Sequence, residues 1–277
     1  MESLAQLSPT LQACLAGIFG LLVGSFLNVV ITRLPVMMMR QWRAEAREAL
    51  ELEAEDTPRF NLLVPASRCP GCDTPIKWHD NLPILGWLKR RGRCASCNTR
   101  ISAQYPLVEL AGGALGASIA LIYGLEAQSL WIFGACLTLL VLSVIDFRTQ
   151  LLPDAITLPL LWAGLAYQLL FQPLMLPSAV IGAMAGYLVL WSFYWLFKLV
   201  TGKEGMGYGD FKLLAALGAW VPSPEGQAAC DRRLFGQRHQ RRARCERDDR
   251  SRGGRPHRRQ HPHPRAGVRP GRRHARR

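Results

Sequence analysis

Long runs of apolar residues dominate the first 220 positions of the chain. They lie at Leu11–Ile31, Leu107–Tyr123, Leu130–Ile145, Ile156–Phe171 and Ala179–Val200. About 20 apolar residues in a helix cross the hydrocarbon core of a bilayer, so each run predicts a transmembrane helix. The first run is too long for the apolar part of a signal peptide, and it has neither a basic stretch before it nor a small-residue cleavage site after it. We therefore expect no cleavable signal peptide.

A sixth apolar run begins at Phe211 and stops at Trp220. Ten residues rise only about 15 Å as a helix, which is half of a bilayer. Backbone groups in lipid need internal partners, so a half span is anomalous. The pattern as a whole predicts an all-α polytopic membrane protein with one long polar loop, Thr32–Tyr105.

Charge is distributed very unevenly. The 277 residues carry a net charge of +14, and residues 221–277, with 18 Arg and 5 Asp+Glu, hold 13 of those charges. A chain that is 49% hydrophobic is not wholly disordered, and the apolar runs exclude a simple soluble enzyme. The Arg/Pro/His-rich composition of 221–277 predicts disorder. Its single aromatic residue, Phe235, argues against stacking on nucleic acid, and no nucleic-acid partner is expected.

The orientation of the spans follows from the basic residues. Of the 16 Lys+Arg before residue 221, 12 lie in Thr32–Tyr105, which places this loop in the cytoplasm. Counting spans forward then places Asp146 and Lys198–Lys203 on the cytoplasmic side. Within the loop, Arg40–Asp56 is predicted to be helical. It either lies on the membrane surface, with Met37–Met39 and Trp42 near lipid, or is a solvated charged helix.

Two CxxC pairs, Cys69/Cys72 and Cys94/Cys97, are separated by 21 residues. This spacing is typical of a zinc ribbon, in which two knuckles supply four thiolates at tetrahedral corners. A reducing cytoplasm favours metal over disulfides, although two disulfides or four free thiols remain alternatives. Four thiolates close the coordination sphere, so the predicted zinc is structural and not catalytic.

Two aspartates, Asp146 and Asp210, lie at predicted span ends on the cytoplasmic side. Asp210 closes the segment Gly205–Asp210, whose glycines permit close backbone approach. Two neighbouring carboxylates share a proton, so one can activate water while the other donates to a carbonyl. Three simpler interpretations stay open. Asp210 could cap a helix, Asp146 could cap a helix or pair with Arg148, and Asp154 could be a turn residue or a third candidate acid.

These motifs together resemble the bacterial type IV prepilin peptidases, which are membrane aspartic proteases of the GxGD kind. The resemblance extends from the first span to Trp220. It is carried by Leu22–Val30, Arg33–Pro35, both CxxC pairs, Tyr105–Glu109, Asp146–Asp154 and Lys203–Asp210.

The resemblance implies two activities in the bacterial inner membrane. The first removes the leader from prepilins and from the pseudopilins of type II secretion. The second methylates the new N-terminal amine with S-adenosylmethionine. By motif position, Asp146 and Asp210 match the catalytic pair, Cys69, Cys72, Cys94 and Cys97 match the metal tetrad, and Gly92 resembles a glycine associated with methylation.

The predicted organisation is a first span (1–31), a cytoplasmic zinc-binding loop (32–105), a protease core in the membrane (106–220) and a tail (221–277). The tail departs from the family, and we expect a reading-frame slip near codon 220. The alternative function is a non-enzymatic membrane scaffold whose zinc-ribbon loop docks partners. A scaffold needs no aspartate pair, which is the feature that separates the two hypotheses.

Overall fold

A computed structural model describes residues 7–53, 58–77, 80–203 and 205–221. Its seven α-helices are α1 (Pro9–Ala49), α2 (Leu85–Lys89), α3 (Gln104–Tyr123), α4 (Ala127–Thr149), α5 (Asp154–Phe171), α6 (Leu176–Thr201) and α7 (Tyr208–Trp220), and a 3₁₀ turn at Pro173–Met175 precedes α6. The described residues contain no β-strand, only two isolated bridges. The predicted all-α fold is confirmed. The predicted tail lies outside the described residues, apart from Val221.

Five helices, α1 and α3 to α6, are long and apolar enough to cross a membrane. The spans alternate in direction, so α1, α4 and α6 run towards the same end of the bundle, at which α3, α5 and α7 begin. This end, which also carries the four cysteines, is called the module end below. The multi-pass membrane architecture predicted from the apolar runs is therefore present.

Helix α1 continues well beyond its apolar run. Its 41 residues form one helix about 60 Å long, twice the thickness of the hydrocarbon core. Pro35 lies inside the helix, where its missing N–H leaves one hydrogen bond of the helix unmade. The Ala-, Glu- and Arg-rich residues that follow have high helix propensity. The first span and most of the predicted loop helix are thus one element.

The seam between α1 and α3 depends on glycine. A Cβ atom on Gly20 would overlap the carbonyl oxygen of Gly112, and one on Gly24 would lie 2.8 Å from Cα of Glu109. Small residues let helix backbones approach closely where lipid provides no hydrophobic driving force. Beside this seam, Ile31, Val108, Val141 and Ile145 form a buried apolar cluster that joins α1, α3 and α4.

Helix α7 packs against α5 and α6, and contacts with α5 hold its last turn. Its 13 residues begin three residues earlier than the apolar run. Trp220 Nε1 donates to the carbonyl of Leu160 (2.9 Å), and Gln168 Nε2 donates to the carbonyl of Trp220 (3.3 Å). The Trp220 ring stacks on Tyr167, with ring centroids 5.2 Å apart. The Gln168 side chain and the Leu160 carbonyl of α5 thus supply polar partners where the helix ends.

Candidate active site and candidate metal centre

The structure brings Asp146 and Asp210 together at the module end. Asp146 lies in the last turn of α4 and is exposed, whereas Asp210 lies in the first turn of α7 and is half-buried. The carboxylate of Asp146 is close enough for its charge to act on the carboxyl group of Asp210. The neighbours Ile145 and Phe211 are fully buried, so both acids project from well-packed turns.

Glycines set the position of Asp210. The N-cap of α7 is Gly207, so Asp210 is not the N-cap residue; it lies in the first turn, where the backbone of Gly207 interacts with its carboxylate. An added Cβ on Gly209 would lie 2.7 Å from Cβ of Leu152, in the connection between α4 and α5. Because real Cβ atoms do not approach so closely, Gly209 is what allows α7 to begin against this connection. Asp146 lies at the end of α4, just before this connection.

Asp154 has a different partner. It is the first residue of α5, whose N-cap is Pro153, and its Oδ2 atom lies 2.5 Å from Nζ of Lys212. This ion pair joins the first residue of α5 to the N-terminal part of α7. No ion pair between Asp146 and Arg148 occurs in the described part of the chain. Asp154 is thus engaged by Lys212, and the assignment of Asp146 and Asp210 as the catalytic pair stays a prediction.

The four cysteines form a compact tetrad. Their Sγ atoms all lie within 4.8 Å of one another, and the closest cross-knuckle pairs are Cys69–Cys97 (3.7 Å) and Cys72–Cys94 (3.9 Å). A disulfide bond is about 2.05 Å long, so these are four free thiols. Four sulfurs at about 2.3 Å from a tetrahedral zinc would be about 3.8 Å apart. The tetrad therefore fits the predicted ion.

The two knuckles repeat one backbone pattern. Cys69 N–H donates to the carbonyl of Thr74 (3.0 Å), and Cys94 N–H donates to that of Thr99 (2.9 Å). In each turn a later N–H, that of Gly71 or Ser96, donates to the first sulfur at 3.4 Å. An added Cβ on Gly71 would lie 2.6 Å from Oγ1 of Thr99. Gly71 therefore lets the first knuckle close against the second.

The thiols differ in acidity. A hydrogen bond with the Thr99 hydroxyl, followed by contributions from the backbone, lowers the pKa of Cys97 to about 6. The Gly71 N–H favours the Cys69 thiolate, but burial and the neighbouring thiols outweigh it and raise the pKa of Cys69 to about 11. Backbone N–H groups of Cys97 and Ser96 lower the pKa of Cys94. The second knuckle is thus prepared to offer thiolates to a cation.

Gly92 is buried beneath an aromatic ring and has no side chain to offer for chemistry. Its φ of +68° is a left-handed conformation, and an added Cβ would lie 2.8 Å from Cζ2 of Trp87. Its N–H donates to the carbonyl of Trp87 (2.9 Å), and its carbonyl accepts from Ile101 (2.8 Å). Gly92 thus connects α2 to the second knuckle through hydrogen bonds of its backbone.

Two anchoring residues were not identified as functional from the sequence. The Arg33 guanidinium donates to the carbonyls of Asn61 (3.0 Å) and Pro65 (2.6 Å), and it lies over the Phe60 ring. Glu109 accepts a hydrogen bond from the backbone of Ile84. The signals available were an Arg–Leu–Pro motif at the end of a span and a lone acid within an apolar run.

Two family models together match most of residues 18–228. The first, the bacterial peptidase A24 N-terminal domain, matches residues 18–123 and contains the cysteine tetrad. The second, the type IV leader peptidase family, matches residues 131–228 and contains both aspartates.

Curated relatives support the same assignment. A protein of Pseudomonas putida, named prepilin leader peptidase/N-methyltransferase, is 53% identical over 214 residues, which cover 77% of this chain and 74% of the relative. A protein of Stutzerimonas stutzeri with the same name is 56% identical over 208 residues, covering 73% and 71%. No solved structure matches the chain. The chain belongs to the type IV leader peptidase family.

Proposed function

We propose that the chain is a bifunctional membrane enzyme. It removes the leader of type IV prepilins and of type II secretion pseudopilins, and it then methylates the new N-terminal amine. The names of its relatives support both activities. The observation that carries the peptidase assignment is the placement of Asp146 and Asp210 at one end of the bundle, where the charge of Asp146 acts on Asp210.

The aspartate pair would act as a general acid and a general base. Two adjacent carboxyl groups do not ionise together easily, so one retains a proton. The ionised group takes a proton from water, and the resulting hydroxide attacks the scissile carbonyl carbon. The protonated group donates to the carbonyl oxygen. Collapse of the tetrahedral intermediate transfers a proton to the leaving amine and breaks the peptide bond.

We place the module end in the cytoplasm of a bacterium, at the inner membrane. The concentration of basic residues in Thr32–Tyr105 supports this orientation, with 12 of the 16 Lys+Arg before residue 221. A substrate with an apolar membrane helix and a polar leader would then present its scissile bond at the depth of the aspartates. The bilayer itself is the other partner of the bundle.

The cysteine tetrad is proposed as a structural zinc site formed by Cys69, Cys72, Cys94 and Cys97. Zinc bound by four thiolates would link the two knuckles, which contain little apolar core of their own. S-adenosylmethionine is the proposed methyl donor: the free amine would attack its sulfonium methyl group, the thioether S-adenosylhomocysteine would leave, and the methylated amine would release a proton. Since Gly92 is buried, we propose that it affects methylation through the position of Trp87.

The peptidase assignment can be tested with the full chain in liposomes and a prepilin substrate. We expect Asp146→Asn to reduce leader cleavage about 10²- to 10⁴-fold, because general acid–base catalysis contributes that much. Asp154→Asn is the matched control at the same end of the bundle and should keep cleavage within a few-fold. Full cleavage by the Asp146 variant would reject the aspartic mechanism, and absence of cleavage by the parent chain would favour the scaffold.

A further inference from the structure

A buried carboxylate that the peptidase mechanism does not use lies near the start of α3. Glu109 is 7% exposed, and its Oε2 atom accepts the backbone N–H of Ile84 at 2.7 Å. Removing a charged group from water is costly unless it is hydrogen-bonded. Acids within membrane spans are accordingly rare, and they mark functional positions.

The donor occupies a constrained position. Ile84 is the residue before α2 and has a φ of +59°, a left-handed conformation that is unusual for a β-branched side chain. Surrounding contacts must hold such a residue in place. The hydrogen bond to Glu109 is one of these contacts, and it attaches the start of α2 to a membrane helix.

Helix α2 connects directly to the second zinc knuckle. Trp87 Nε1 donates to the carbonyl of Ile101 (3.3 Å), and the Trp87 ring covers Gly92. Arg90 donates two hydrogen bonds to Asp80, at 3.2 and 2.8 Å, which closes the segment around α2. From Gly92 the chain enters the turn of Cys94. An unbroken series of contacts therefore runs from Glu109 to the tetrad.

Helix α1 supports the other side of Glu109. The backbone of Gly24 lies against Cα of Glu109, as the 2.8 Å approach of an added Cβ shows. One turn later, Asn28 Nδ2 donates to the carbonyl of Tyr105 at 3.0 Å. The carboxylate thus projects from a rigid helix pair.

We infer that Glu109 is a positioning residue that fixes the four-cysteine module on the membrane bundle through its hydrogen bond to Ile84. It acts through α2 and does not touch the reacting atoms of either aspartate. Only the consequence for methylation rests on the proposed function, while the docking role stands on the contacts alone.

Two substitutions of Glu109 distinguish the effect of side-chain length from the effect of charge on the hydrogen bond to Ile84. Glu109→Gln keeps an acceptor oxygen at the same distance without the charge, whereas Glu109→Asp keeps the charge and withdraws the acceptor by one methylene. Amide hydrogen exchange of the segment from Ile84 to Leu88 is measured on the full zinc-loaded chain in lipid nanodiscs. We expect exchange about ten- to a hundredfold faster in Glu109→Asp and within a few-fold of the parent in Glu109→Gln.

Val108→Ala is the matched control, since Val108 is the buried neighbour of Glu109 and packs with Ile31 and Ile145. It should accelerate exchange in the bundle without a selective effect on Ile84. Unchanged exchange in Glu109→Asp, or equal acceleration in Glu109→Gln, would overturn the inference. Methylation should follow exchange across the variants. If no variant or parent methylates, the proposed methyltransferase activity fails, and the exchange data still decide the role of Glu109.

Discussion

The two candidate sites of this protein are built in opposite ways. The cysteine tetrad consists of two short turns with the same backbone hydrogen bonds, each complete within a few residues. The aspartate pair consists of side chains from α4 and α7, which lie at one end of the bundle because α7 packs against α5 and the connection before it. Local turns define the first site, and helix packing in the membrane defines the second. Different changes should therefore damage them.

The largest difference between the two sites is expected when one variant loses a zinc ligand and another loses a catalytic carboxylate. Cys94→Ser should weaken zinc binding on the order of 10³-fold, because three thiolates do not close the tetrahedral site. It should open the loop to limited proteolysis and leave the helices protected. Asp210→Asn should abolish leader cleavage and retain one zinc. Zinc content and proteolysis of the two purified variants test this, and loss of helix protection in Cys94→Ser would show that the sites are interdependent.

Filling a glycine should affect only the packed site. Gly209→Ala places a methyl group 2.7 Å from Cβ of Leu152, so the first turn of α7 must move. We expect leader cleavage to fall about 10- to 100-fold, as small misplacements of catalytic groups do elsewhere.

Gly134→Ala is the matched control, because a Cβ at this position in α4 meets no atom within 4 Å. It should leave cleavage unchanged and stabilise α4 slightly, since alanine is the better helix former. Equal losses in the two variants would show that the close approach of Gly209 to Leu152 is not what limits cleavage.

Lowering the pH should weaken metal binding by the four cysteines, because it protonates the thiolate of Cys97 in the second knuckle. The pKa of Cys97 lies at about 6, so its thiolate is present above this pH and is lost as the pH falls through it. In the metal-free protein at pH 7, an alkylating reagent should modify Cys97 at least about tenfold faster than Cys69, whose pKa is about 11. Mass spectrometry of the modified peptides gives both rates. Thr99→Val removes the hydroxyl that stabilises the Cys97 thiolate, so the pH dependence of Cys97 alkylation should shift to higher pH. Equal alkylation rates for Cys97 and Cys69 would contradict the lower pKa of Cys97.

The smallest effect is expected at the rim of the aspartate site. Lys212→Met removes the ion pair with Asp154, whose side chain is 53% exposed. Exposed ion pairs contribute about 0–1 kcal/mol, so leader cleavage should change by less than about fivefold. A loss as large as that of Gly209→Ala would mean that Lys212 has a direct part in the reaction.

The same contrast explains how much the sequence could predict. The spacing of Cys69, Cys72, Cys94 and Cys97 was sufficient to predict the tetrad, because each pair lies in one turn. The apolar runs predicted the spans and their order, since length and hydropathy determine them. The aspartate pair was predicted by counting spans. The count places Asp146 and Asp210 at the same end of the bundle, but it gives no distance between them.

Features that depend on packing were not predicted. The close approach of Gly209 to Leu152 and the hydrogen bond from Gln168 to the end of α7 join residues that are far apart in sequence. No periodicity or motif encodes such contacts. The continuation of α1 through Pro35 was missed for a related reason: a proline usually marks a helix end, but the strong helix formers after it maintain the helix.

The length of α1 has a mechanical consequence. Helix α1 is about 60 Å long, about twice the thickness of the hydrocarbon core, so about half of its length extends beyond the membrane surface. A change in tilt of about 10°, within the range that bilayer thickness imposes on spanning helices, displaces its free end by about 5 Å. Arg33 and Arg40 of this helix both lie over the Phe60 ring. A change in the tilt of α1 would therefore carry the segment around Phe60 with it.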